Sequence, residues 1–182
     1  MEHRHPEPGR APKQTKRAKN HSHAFEGIFK TLVAEHREAL QLLDRLCMAS
    51  HPQLRAELWP QVRHALLAHD QGEVRVLCPD LHDFAATRAL AQRHDVEARD
   101  LESMIRLLAG RDYDDPEWLA SALTLRQLVL RHVQEEESEF FPRAQAVLGA
   151  ARAEELKQDY LRHKAQGGSC STRGNGPLGG TP

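Results

Sequence analysis

The chain has 182 residues and a formal net charge of −1, which suits one domain with tails and provides no bulk charge to attract nucleic acid or a membrane surface. Aromatic residues make up only 5%, a balance that favours helices over strands. No stretch approaches the roughly 18 apolar residues needed to span a bilayer, and the polar N-terminus lacks the apolar core of a secretory signal.

Residues 1–22 are polar and carry Arg4, Arg10, Lys13, Lys16, Arg17 and Lys19, so a disordered basic tail is expected. Beyond them the apolar period is helical. The first helix starts near His23 and repeats at three-four spacing through Phe25, Ile28, Phe29, Leu32, His36, Ala39, Leu40, Leu43 and Leu46, until Ser50-His51-Pro52 breaks it. The second runs from about Gln53 to Cys78, where Pro79 is expected to end it. The third spans about Leu81 to Ala109, with Gly110 suited to the C-cap. Asp114-Asp115-Pro116 marks the start of the fourth, which reaches about Leu148 with a bend expected at Pro142. Arg152 to Lys164 suits a short fifth helix, and residues 165–182, rich in Gly, Ser and Pro, a second disordered tail. Long helices with short connections pack antiparallel, so the expected fold is all-α, an up-down four-helix bundle over residues 23–164.

Cys47, Cys78 and Cys170 are odd in number and without CxxC spacing, and read as reduced thiols of a cytoplasmic protein. The twelve histidines are many for this length. Two of them head the same pattern, His-x3-Glu-x5-Pro: His69, Glu73 and Pro79 on the second helix, and His132, Glu136 and Pro142 on the fourth. Each pair of equivalents is separated by 63 residues. Residues i and i+4 share a helix face about 6 Å apart along the axis. A histidine and a glutamate so placed reach one point beside the helix, and two such helices bring two imidazoles and two carboxylates into one small volume. His36 and His94 lie on the apolar stripes of the first and third helices, so each is expected to point inward. A buried imidazole costs free energy unless it is hydrogen-bonded or metal-bound.

Four histidines and two glutamates form a nitrogen and oxygen ligand set without thiolate, suited to iron, manganese or zinc. Two six-coordinate ions offer about twelve positions; four imidazoles and two bridging carboxylates fill about eight, leaving room for small exogenous ligands. The other polar residues have plainer readings. Glu135, Glu137 and Glu139 read as a solvated acidic face, Asp70 as surface or a neighbour of the ligands, and Cys47 and Cys78 as packing thiols. His64, His82 and His163 point elsewhere, and His3, His5, His21 and His23 suit adventitious metal only. Glu97, three residues after His94, is a candidate extra ligand or a side chain that snorkels to solvent.

At these residues the chain resembles the hemerythrin-like HHE cation-binding family: His36 in AEHREAL, His69 and Glu73 in LLAHDQGEVRVLCPDL, His94 in AQRHDVEA, and His132 and Glu136 in LRHVQEEESEFFP. The resemblance covers about residues 24–150. It implies a centre of two non-haem iron ions in a four-helix bundle that binds dioxygen, senses redox or nitrosative stress, stores iron or serves iron-centre repair. Oxygen-carrying members place a second histidine four residues after the first on the third helix, where this chain has Ala98, and an aspartate where it has Glu136. Both departures match the broader bacterial-type branch better than the oxygen carriers.

Three functions compete. A binding or sensing module for dioxygen or nitric oxide needs the six residues alone. An enzyme-like role in peroxide or nitric oxide reduction, or in iron–sulfur repair, needs a proton donor too, and Tyr113 and Tyr160 both fall near helix ends or beyond. A metal-free interaction scaffold leaves the doubled motif unexplained.

Overall fold

The computed structural model describes residues 25–167, all of it helix and short connections; both expected tails lie almost wholly outside those residues. Six α-helical segments follow in order: α1 (Gly27–Cys47), α2 (Pro52–Gly72), α3 (Cys78–His82), α4 (Arg88–Ala109), α5 (Pro116–Glu135) and α6 (Phe141–Gly167). A π turn (Glu73–Leu77) joins α2 to α3, and a second (Glu136–Phe140) joins α5 to α6. Spatially these make four long rods, antiparallel because their connections are short. Pro52 starts α2 as the break after Ser50 required. Asp115 caps α5, its carboxylate accepting from the Glu117 amide at 2.8 Å, with Pro116 in the first turn.

The two motif prolines act differently from the expectation. Neither Pro79 nor Pro142 ends or breaks its rod. A proline inside a helix lacks an N–H and clashes with the carbonyl four residues back. Here the turn just ahead of each proline is widened to five-residue spacing: the Cys78 amide donates to the Glu73 carbonyl, and the Phe141 amide to the Glu136 carbonyl. The second rod therefore continues to His82, and the third starts at Arg88 instead of Leu81. On the fourth rod the sharp change of direction is at Gly149, whose φ of 74° suits glycine, and not at Pro142. Helix resumes after it and reaches Gly167, so the fifth helical segment is present and slightly longer than expected.

That last segment packs back along α1 through close backbone approach. A Cβ on Gly27, whose φ is +54°, would lie 2.4 Å from the Ala153 carbonyl carbon. A Cβ on Gly72 would lie 2.3 Å from Cε2 of Tyr160. Arg152 adds a fork to Asp80, at 2.6 and 3.1 Å.

The core is divided. One apolar cluster holds Phe29, Leu32, Leu77, Leu81, Phe140, Phe141 and Tyr160; the other holds Leu43, Trp59, Val62, Leu101, Ile105, Trp118 and Val129. His36, His69, His94 and His132 each fall in sequence between residues of the two clusters, so a polar layer lies at the waist of the bundle. No helix among the described residues is long and apolar enough to cross a membrane.

Candidate metal centre

The waist is polar by design of four separate helices. His36 comes from α1, His69 from α2, His94 from α4 and His132 from α5, while Glu73 and Glu136 each open a π turn. None of the six exposes more than 8% of its surface. With Thr87, whose hydroxyl donates to the Leu81 carbonyl at 2.7 Å, they are the only buried polar or charged residues among those described. Burying so many polar groups together is costly unless something satisfies them.

Each imidazole turns Nε2 inward. His36 Nε2 lies 3.0 Å from Glu136 Oε2 and 3.1 Å from His69 Nε2. His69 Nε2 and His94 Nε2 each lie 3.3 Å from Glu73 Oε2. His94 Nε2 and His132 Nε2 approach Glu136 Oε1 at 2.9 and 3.3 Å. Two quartets result: His36, His69, Glu73 and Glu136, and Glu73, His94, His132 and Glu136, each with one ligand atom per residue inside a 4.8 Å span. The two glutamates belong to both quartets.

The outward nitrogens also have partners, on other elements. An ionised carboxylate only accepts, so Nδ1 must donate. His36 Nδ1 donates to Glu137 Oε1 at 2.9 Å, His69 Nδ1 to Glu35 Oε2 at 3.1 Å and His132 Nδ1 to Glu97 Oε2 at 3.3 Å. In the neutral form of these three rings the lone pair is then on Nε2, the tautomer a metal ligand needs. His94 differs: its Nδ1 faces the Cys78 thiol at 3.5 Å. Several expectations are corrected here. Glu137 is no mere solvated side chain, Glu97 braces a histidine from outside the inner cluster, and Cys78 does more than pack. Tyr160 is fully buried, and its hydroxyl donates to Glu35 Oε2 at 2.6 Å. Glu35 carried no signal in the sequence beyond its place in the helix; only its contact with His69 marks it.

Electrostatically the cluster favours positive charge. Burial opposes protonation of His36, yet the Glu136 and Glu137 carboxylates beside it outweigh this and raise its pKa to about 10. Burial likewise opposes protonation of His94 and His132, and the surrounding thiol and carboxylates again raise both. Burial would raise Glu136, but His132, His36 and His94 hold it well below the usual carboxylate range. In the metal-free chain protons thus occupy the place that cations would take.

A pH dependence follows. A histidine whose pKa rises on folding stabilises the fold fully below its unfolded value, and that stabilisation is lost as pH rises through the folded value. For His36 the window runs from 6.5 to about 10. Denaturant unfolding of the metal-free chain at about pH 7 and about pH 9.5 should show lower stability at the higher pH. Metal displaces those protons, so the loaded chain should lack this fall; equal losses in both forms would contradict the assignment.

Beside the cluster is a small cavity of about 20 Å³, lined by His36, His69 and His132 and by apolar side chains including Ala39, Leu101, Ile105 and Val129. It is large enough for one water-sized or diatomic molecule. Asp70 also lines it, and lines as well a groove of about 470 Å³ on the outer surface together with Val74, His82, Ala98 and Arg99. Burial and the charge of Glu73 push the Asp70 carboxyl up to about 6.

The donors fit a bound cation. Glu73 Oε1, His132 Nε2 and both Glu136 carboxylate oxygens are buried without a hydrogen bond among the described residues, despite their short separations. Such convergent, unsatisfied donor atoms are what a cation fills. Fold and site together define a helical bundle with a buried cation-binding cluster at its waist. The family model for the hemerythrin HHE cation binding domain matches residues 27–144, and the chain belongs to that family. No curated protein and no solved structure matches the chain closely enough to count as a relative.

Proposed function

We propose that this protein is a non-haem di-iron protein that binds or senses a diatomic ligand, dioxygen or nitric oxide. His36, His69, Glu73 and Glu136 would hold one ion, and Glu73, His94, His132 and Glu136 the other. The observation that carries the reading is the pair of quartets sharing both glutamates within 4.8 Å. The ligand set also suits manganese or zinc, and the matched domain is described by cation binding without a particular metal. Bound iron would supply open coordination positions and one-electron chemistry.

The chain's own residues do the rest. Glu35, Glu137 and Glu97 hold three of the imidazoles in orientation. The cavity of about 20 Å³ admits a diatomic and little else, and its apolar wall of Leu101, Ile105 and Val129 keeps bulk water out. The test is metal content with an optical spectrum, on protein expressed with iron and purified without a histidine-binding column. About two irons per chain with oxo-bridged ferric bands in the near ultraviolet is the expected result. A folded chain that takes up no metal after anaerobic ferrous reconstitution would establish the scaffold reading instead.

Asp70 supports a second, enzyme-like reading, reduction of peroxide or nitric oxide. Its carboxyl lines the same cavity, and its pKa near 6 lets it hold or release a proton there around neutrality. On this reading, turnover by the loaded chain exceeds that of free iron at equal concentration and falls in Asp70→Asn. Turnover equal to that of free iron rejects it.

A further inference from the structure

The residues that brace the metal centre do not all lie within the matched family domain, which ends at residue 144. We propose that the C-terminal helical segment completes one of the two metal positions, with Tyr160 and Lys164 acting as positioning residues that clamp Glu35 against His69. The inference rests on the metal-centre reading above.

Three donors converge on one oxygen, Glu35 Oε2: the Tyr160 hydroxyl at 2.6 Å, the Lys164 ammonium at 2.8 Å and His69 Nδ1 at 3.1 Å. With three donors on one oxygen, the carboxylate of Glu35 acts purely as an acceptor. An ionised carboxylate fixed at this point sets both the tautomer and the orientation of the His69 ring. The clamp is built into the packing. The Tyr160 ring lies where a Cβ on Gly72 would be, so it passes directly over the helix that carries His69. Gly27 and the Arg152–Asp80 fork seat the rest of the segment.

The opposite position is braced in another way. His94 has only the Cys78 thiol, at 3.5 Å, and His132 has Glu97, whose carboxylate also lies 3.8 Å from the exposed Arg93. The two positions are therefore unequal: the carboxylate behind His69 is held from the C-terminal segment, whereas the groups behind His94 and His132 are Cys78 of α3 and Glu97 of α4.

Cobalt(II) tests this, because its visible bands report each binding step without turnover. The full chain is titrated beside Tyr160→Phe, which keeps the buried ring and removes only the hydroxyl, and Lys164→Met, which attacks the same carboxylate from the solvent side. One of two binding steps should weaken roughly 10- to 100-fold in both variants while the other stays within about twofold. A merely structural role would weaken both steps together and lower the melting temperature of the metal-free chain; that result, or two unchanged steps, overturns the proposal. If the unmodified chain itself binds no cobalt or iron, the metal-centre reading fails first and this inference with it.

Discussion

Glu136→Ala should reduce the metal taken up by the chain to one ion or none, and destabilise the metal-free fold by about 3 kcal/mol or more. Among the described residues no other side chain touches three imidazoles: His36 at 3.0 Å, His94 at 2.9 Å and His132 at 3.3 Å. With the carboxylate gone, three histidines whose protonated forms it supports are left buried at the waist between the two apolar clusters. A cavity remains where a side chain 2% exposed had been. Breaking a buried charge cluster by removing one partner is more costly than never having built it, because the remaining charges stay uncompensated. His69→Ala should lower metal content in the same direction, with Glu136 left in place. Elemental analysis after iron reconstitution, together with denaturant unfolding of the metal-free variants, reads both effects. Unchanged iron content in both variants would remove these residues from the site.

Trp118→Ala should destabilise the fold by a comparable amount, about 4 kcal/mol, and leave metal stoichiometry intact wherever the chain remains folded. Trp118 is fully buried in the apolar cluster remote from Tyr160. Its ring meets Trp59 edge-on at 6.0 Å and Tyr113 at 5.6 Å, and the Arg55 guanidinium lies 5.7 Å from its centroid. Truncation would open a large void that rigid helices on both sides cannot close. Since the waist separates this cluster from the other, the damage should stay on its own side. Loss of metal in proportion to lost stability, under conditions where circular dichroism shows an intact fold, would mean that the core and the centre are coupled.

Much of the centre was legible because its elements are local. His69 with Glu73 and His132 with Glu136 are i,i+4 pairs, and helix geometry alone places each pair on one face. His36 and His94 were legible as polar interruptions of apolar stripes. The same short-range logic misread the prolines. By local rules Pro79 signals a helix end and Pro142 a bend, but the widened turns ahead of them absorb the clash, and both glutamates that head those turns point into the waist.

The outer shell was not legible, since no period links its members. Glu35 lies 34 residues before His69 and 125 before Tyr160, Glu137 lies 101 after His36, and Glu97 lies 35 before His132. Glu35 and Glu137 look in sequence like any solvated helix residue, Glu97 like a candidate ligand or a snorkelling side chain of its own helix, and Tyr160 like the end of an appended helix. By itself the sequence determined an all-helical chain with one inward imidazole per rod and two inward carboxylates, because those features depend only on the rise and turn of a helix. Which nitrogen of each ring faces inward, and that a segment past the bundle braces one side of the centre, were decided by the packing of helices against each other. Only that packing brings together atoms that lie many turns apart along the chain.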